Sequence, residues 1–112
     1  MDITFSSSKL EKILNSERDI IRVYGKENGR ILMRRLTVLR AAYNLNEVPS
    51  SKPERRHHLK GDRKDCFAVD LQQPYRLVFK PLHNPIPTTE DGGLDLEKIL
   101  SIEILGVENY HD

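Results

Sequence analysis

Two stretches of this chain carry side chains that can move protons and hold phosphate. The first is Arg55-Arg56-His57-His58-Leu59-Lys60-Gly61-Asp62-Arg63-Lys64, and the second is Glu108-Asn109-Tyr110-His111-Asp112. Imidazole, phenol, ammonium and guanidinium are the groups from which a metal-free RNA-cleaving site is built. In that reaction a 2′-hydroxyl attacks its neighbouring phosphate, which calls for a base, an acid for the departing 5′-oxygen, and positive charge around the phosphoryl oxygens. Histidine suits both proton roles because its unperturbed pKa is about 6.5, and a positioned acid or base contributes about 10²- to 10⁴-fold. His57 and His111 are the natural pair. Lys60 and Arg76 are placed to stabilise developing charge, and Tyr110 to stack on a base or supply a hydroxyl.

Each residue also has a plainer role open to it. A histidine in a basic segment is commonly just exposed, a tyrosine at a strand end commonly packs, and Arg76 has Asp70 to bridge to across a hairpin. Cys66 reads as a small core residue rather than a nucleophile. His57, His58, His83 and His111 lack zinc-site spacing, and no second cysteine accompanies them, so neither a metal nor another cofactor is expected.

These stretches need a scaffold, and the sequence predicts an α+β one. Ile3 and Phe5 alternate with polar residues as in a short strand. Ser8-Lys9-Leu10-Glu11 matches a capping box ahead of the apolar stripe Leu10, Ile13 and Leu14. Helix continues from Glu17 to Tyr24, Gly25 stops it, and the strongest helix starts near Gly29 and runs to about Asn46. There Leu32, Leu36, Leu39 and Tyr43 form a core stripe, Ile31, Val38, Ala42 and Leu45 a second one, and Arg30, Arg34, Thr37 and Asn44 the polar side.

Val48-Pro49-Ser50-Ser51-Lys52-Pro53 cannot continue a helix, so residues 48–54 read as a linker between a helical half, 8–46, and a sheet half, 55–111. From Asp65 the period falls to two. Phe67, Val69 and Leu71, a Gln72-Gln73-Pro74 turn, then Tyr75, Leu77 and Phe79 make a hairpin with Arg76 on the other face. Residues 81–98 read as a long solvated connection. The last strand, Lys98 to Val107, is apolar on both faces, which suits an interior place in the sheet. The expectation is one domain over residues 1–112: an N-terminal strand, two to three helices, and a three-stranded antiparallel run packed on them.

Bulk properties bound the partners. The 112 residues suffice for one modest core, and no apolar run approaches the roughly 20 residues of a membrane span. With a single cysteine and no signal-peptide pattern at the start, a cytoplasmic location is expected. The net charge of +1 hides an asymmetry: seven acids face one lysine from Glu90 to Asp112, so the rest of the chain carries +7. Such an excess fits a protein that approaches phosphate backbones, or a solvated basic face.

Taken in order, His57-His58-Leu59-Lys60-Gly61-Asp62-Arg63, Phe67-Ala68-Val69-Asp70-Leu71, Pro74-Tyr75-Arg76-Leu77-Val78-Phe79 and Val107-Glu108-Asn109-Tyr110-His111 resemble the HigB-like killer toxins of the RelE/ParE superfamily. The resemblance covers the second half closely and the helical half in length and order. It implies the RelE/ParE toxin fold and a toxin of a type II toxin–antitoxin pair, a ribosome-dependent mRNA endoribonuclease that inhibits translation and arrests growth. The implied partners are a HigA-like helix-turn-helix antitoxin, the ribosome and mRNA, with operator DNA reached only through the antitoxin and no membrane.

By the same resemblance His57, Lys60, Arg76, Asn109, Tyr110 and His111 are the site positions. The other basic and imidazole groups of the first stretch, Arg55, Arg56, His58, Arg63 and Lys64, are the expected RNA or ribosome contacts. Asn109 stands where the family commonly has Asp, and an amide can orient a partner but cannot take a proton. Two other readings share the fold: a ParE-like, non-enzymatic inhibitor of DNA gyrase, and a catalytically impaired module that only binds antitoxin.

Overall fold

The computed structural model describes residues 1–63 and 65–109. It opens on β1 (Asp2–Phe5), and the chain then turns into α1 (Ser8–Leu14). The cap of α1 is Ser7, one residue before the serine the sequence pattern suggests; its hydroxyl accepts from the Leu10 N–H. Ser16 caps α2 (Glu17–Tyr24) in the same way, accepting from the Asp19 N–H. Gly25 follows with φ of 88°, and α3 (Lys26–Ala41) begins at once. The two helices approach closely at Gly29, where a Cβ would lie 3.3 Å from Ile20 Cγ2 and 3.4 Å from the Ile21 Cα.

α3 ends at Ala41, short of the Asn46 predicted from periodicity. Asn44 instead caps a 3₁₀ turn at Leu45–Glu47, its side-chain oxygen accepting from the Glu47 N–H. Short polar side chains that bond the local backbone favour such caps over helix interiors. Tyr43 therefore leaves the core stripe and is 71% exposed, whereas Leu32, Leu36 and Leu39 are buried.

After the linker come β2 (His57–His58), β3 (Phe67–Asp70), β4 (Tyr75–Pro81) and β5 (Ser101–Asn109). Each pairs antiparallel with the next, and β1 joins the far side of β5 in parallel, giving the order β1-β5-β4-β3-β2. The expected antiparallel run is β3–β5, and β5 is an interior strand as its two-sided apolar composition predicts.

The helices cover one face of this mixed sheet. Phe67, Val69, Leu77, Phe79, Ile102 and Ile104 meet Leu14, Ile20, Leu32, Leu36 and Leu39 in the main core. Residues 82–98 are anchored rather than solvated throughout: Thr88 bridges to Leu94, and Leu94 and Leu96 pack on that core. On the opposite face Leu59, from the loop after β2, packs with Ala68, Val78, Cys66 and Leu105 in a small second cluster.

One irregularity decides what this second face displays. Val78 pairs with Gly106 but Phe79 pairs with Ile104, so Leu105 is the extra residue of a β-bulge. Gly106 takes φ of 143°, open to glycine and strained for other residues. Ile102 and Ile104 face the helices, and after the bulge Val107 does too. Glu108 is thereby turned onto the open face, although an unbroken alternation from Ile104 would point it at the helices.

Candidate active site

Asp70, Arg76 and Glu108 lie directly opposite one another across β3, β4 and β5. Opposed residues on neighbouring strands share a face, and this row belongs to the open one. Each carboxylate holds an arginine from outside the row. Arg55 donates a fork to Asp70, Nε to Oδ2 at 2.6 Å and Nη2 to Oδ1 at 2.9 Å. Arg63 donates a second fork to Glu108, Nη1 to Oε1 at 2.5 Å and Nη2 to Oε2 at 2.6 Å. Arg76 Nη2 lies 3.9 Å from the same Glu108 Oε1, and its side chain is 17% exposed.

The result is an alternating line, Arg55, Asp70, Arg76, Glu108, Arg63, in which every charge has an opposite neighbour. The Arg63 hydrogen bond holds the Glu108 carboxyl below the usual glutamate range, against the opposing effect of its partial burial. Arg63 is raised in turn, chiefly by the same hydrogen bond. Arg63 belongs to the loop between β2 and β3, so its bond to β5 draws that loop over two intervening strands.

His57 stands opposite Ala68, on the open face and one row on from the charged line. Two strand spacings and two residues separate it from Arg76, about 12 Å from backbone to backbone. Its Nδ1 is 2.7 Å from the Arg55 carbonyl oxygen. A carbonyl only accepts, so Nδ1 carries the hydrogen and the neutral ring has its lone pair on Nε2, the form a general base needs. Arg55 supplies that carbonyl from a left-handed backbone with φ of 46°, its own N–H donating to the Ser51 carbonyl. Such strain in a non-glycine residue persists only where surrounding contacts impose it.

The other residues singled out from the sequence divide by face. His58 points to the helix side and stacks on Phe67, with ring centroids 4.6 Å apart. Asn109 pairs with Tyr75 and by alternation also faces away from the Arg76 row. Lys60 is exposed on the loop that Arg63 pins. Arg56 turns inward: its Nε donates to the Val48 carbonyl and burial lowers its pKa. Lys64, Tyr110 and His111 lie outside the described residues.

Sequence reasoning missed the supports. Arg35 is 7% exposed and donates from Nε to the Asp70 carbonyl at 2.6 Å and from Nη2 to the Pro53 carbonyl at 3.2 Å. Asn28 accepts from the Gln72 N–H, holding the β3–β4 turn against α3. The signal for Arg35 was positional: it sits three residues from Leu32 and four from Leu39, inside the apolar stripe where a charge has to find partners. Glu108 stands in the terminal stretch singled out from the sequence but without a role of its own, and the signal of the bulge that turns it outward is the pair Leu105-Gly106 before it.

No protein-family model matches the chain, and no curated protein does. Solved structures do. The fold matches that of a YoeB/ParE toxin. That toxin, from Agrobacterium tumefaciens, aligns over 98% of this chain and 99% of its own, with a TM-score of 0.54 and 13% sequence identity. The YoeB/ParE toxin thus shares the architecture from the first strand to the last, while its sequence has diverged too far for residues to be equated. With so little identity, the site rests on this chain's own geometry: a row of alternating charges from Arg55 to Arg63, with His57 one row on along the same face and its Nδ1 turned to the Arg55 carbonyl.

Proposed function

We propose that this chain is the toxin of a type II toxin–antitoxin pair, a HigB-like, ribosome-dependent mRNA endoribonuclease of the cytoplasm. The observation that carries this reading is His57, tautomer fixed by the Arg55 carbonyl, on the same open face as Arg76 and its row of charges. A gyrase poison has no use for such a base, and the shared YoeB/ParE fold supports a toxin without choosing between the two. In the proposed reaction His57 Nε2 takes the 2′-hydroxyl proton, the 2′-oxygen attacks phosphorus, and the 5′-oxygen leaves with a proton from His111. Arg76 and Lys60 balance charge on the phosphoryl oxygens, Tyr110 stacks on or hydrogen-bonds the RNA, and Asn109 orients a partner. A HigA-like helix-turn-helix antitoxin would silence the toxin and carry it to operator DNA.

The test is incubation with translating ribosomes and a defined mRNA, with cuts mapped by primer extension. The wild type should cut only when ribosomes are present, and His57→Ala should cut about 10²- to 10⁴-fold more slowly while keeping its circular dichroism spectrum. Cutting by His57→Ala at the wild-type rate removes the proposed base. Gyrase-trapped DNA breaks with intact mRNA would select the ParE-like reading, and neither effect would leave an antitoxin-binding module.

A further inference from the structure

Arg63 and Arg76 converge on one carboxylate oxygen, Glu108 Oε1, at 2.5 and 3.9 Å. A carboxylate in a guanidinium fork presents the same paired oxygens as the non-bridging pair of a phosphodiester. The seat is therefore shaped for a bidentate anion and is filled from within. Of the two carboxylates in the row, Glu108 is the exchangeable one. Its side chain is 30% exposed against 16% for Asp70, while the partners Arg63 and Arg55 are alike at 37% and 40%, so the difference lies in the carboxylates themselves. Asp70 is also fixed through its backbone, its carbonyl accepting from Arg35 and its N–H donating to the Glu54 carbonyl.

We propose that Glu108 is a displaceable internal anion, whose place on Arg63 and Arg76 is taken by a phosphate of the bound RNA. This rests on the reading of the face as a phosphodiester site. In the free protein Glu108 keeps the two guanidiniums aligned and the Lys60 loop drawn over the sheet. It also sets a threshold. A tethered carboxylate competes at the high effective concentration of an intramolecular partner, so a lone phosphate loses to it. A phosphate held in register by many other contacts wins, and the site opens only to anchored RNA.

The probe is a fluorescein-labelled 2′-O-methyl RNA oligonucleotide, which cannot be cut by 2′-hydroxyl attack, titrated by anisotropy over a range of salt. Glu108→Gln should bind it roughly fivefold more tightly than wild type, with a salt slope steeper by about 0.7, one additional phosphate contact. Glu108→Asp, which keeps the charge but shortens its reach, should fall between them and serves if the glutamine variant does not fold. Glu103→Gln is the control: it removes the same charge and an ion pair of 3.7 Å with Lys80, away from the row. It should bind within about twofold of wild type. Binding by the Glu108 variants no tighter than wild type, or a gain equal to that of Glu103→Gln, overturns the proposal and leaves the nuclease reading standing. If none of the proteins binds the oligonucleotide, thermal melts in inorganic phosphate against chloride at matched ionic strength decide. Stabilisation of Glu108→Gln alone keeps the displaceable anion and removes RNA as its ligand, and no stabilisation overturns both.

Discussion

Replacing Arg35 by methionine should destabilise the protein by about 2–3 kcal/mol, because of where its hydrogen bonds end. Two effects oppose each other. Burial of the guanidinium is costly, and it lowers the Arg35 pKa despite the nearby Glu54 and Asp70 carboxylates. Methionine removes that cost and fills much of the same space, and replacing a whole buried ionic group by apolar side chains is often neutral or stabilising. Here the partners cannot be replaced along with it. The acceptors are the main-chain carbonyls of Asp70 and Pro53, at 2.6 and 3.2 Å, and Glu54 Oε2 lies only 4.0 Å from Nη1. A buried carbonyl left without a donor costs about 1–3 kcal/mol, so the two together outweigh the relief of burial.

For a chain of 112 residues that loss lowers Tm by about 10 °C. Calorimetry or a circular dichroism melt measures it directly. The reach of the effect is a second readout, since Pro53 and Glu54 lead into Arg55, whose carbonyl sets the His57 tautomer. RNA cleavage by Arg35→Met should therefore fall even at a temperature where the variant is fully folded. A melt within about 2 °C of wild type would show that burial cost outweighs the two carbonyl bonds, and the reasoning would be wrong.

Gly106→Ala should lower stability by about 1 kcal/mol, seen as a drop of about 4 °C in Tm, and a rise would refute the claim that the bulge needs glycine. The cost is all backbone, because φ is 143° and no heavy atom lies within 4 Å of the added Cβ. The Glu108 ion pair predicts a pH dependence with a definite sign. Its pKa is depressed in the folded state, so its contribution is present above the ordinary glutamate range and is lost as pH falls through the lowered value. The difference in Tm between wild type and Glu108→Gln should be largest near neutrality and vanish at strongly acid pH, and a difference that stays constant would sink the assignment.

Much of the scaffold was legible because local chemistry and global packing agree. The stripe Leu10, Ile13 and Leu14 lies in or against the core as expected, with the cap at Ser7 instead of Ser8. The helix Glu17–Tyr24 stands at its expected place, and the period-two segments around Gln72-Gln73-Pro74 pair as a hairpin with Phe67 opposite Phe79. Where they disagree the sequence misleads. The apolar spacing of α3 continues to Tyr43 and Leu45, yet Asn44 makes a local cap and the helix has already ended. Adjacent histidines look equivalent in a string of letters. In a two-residue strand they must point to opposite faces, so His57 goes to the open face and His58 onto Phe67.

The basic excess of the first 89 residues has a different meaning once partners are known. As a sum of charges it describes a surface that attracts phosphate from any direction. Among its arginines, Arg35 and Arg56 are committed to backbone carbonyls, Arg55 to Asp70, Arg63 to Glu108, Arg22 to Asp19 and Arg40 to Asn15. What remains directional is the row centred on Arg76, and its existence depends on a single extra residue. Leu105 shifts the parity of β5, which lifts Glu108 out of the core side, completes the alternating line, and gives Arg63 an anchor across two strands. A change of one residue in strand register thus turns Glu108, which has no role of its own in the sequence reading, into the group that orders the cations of the row.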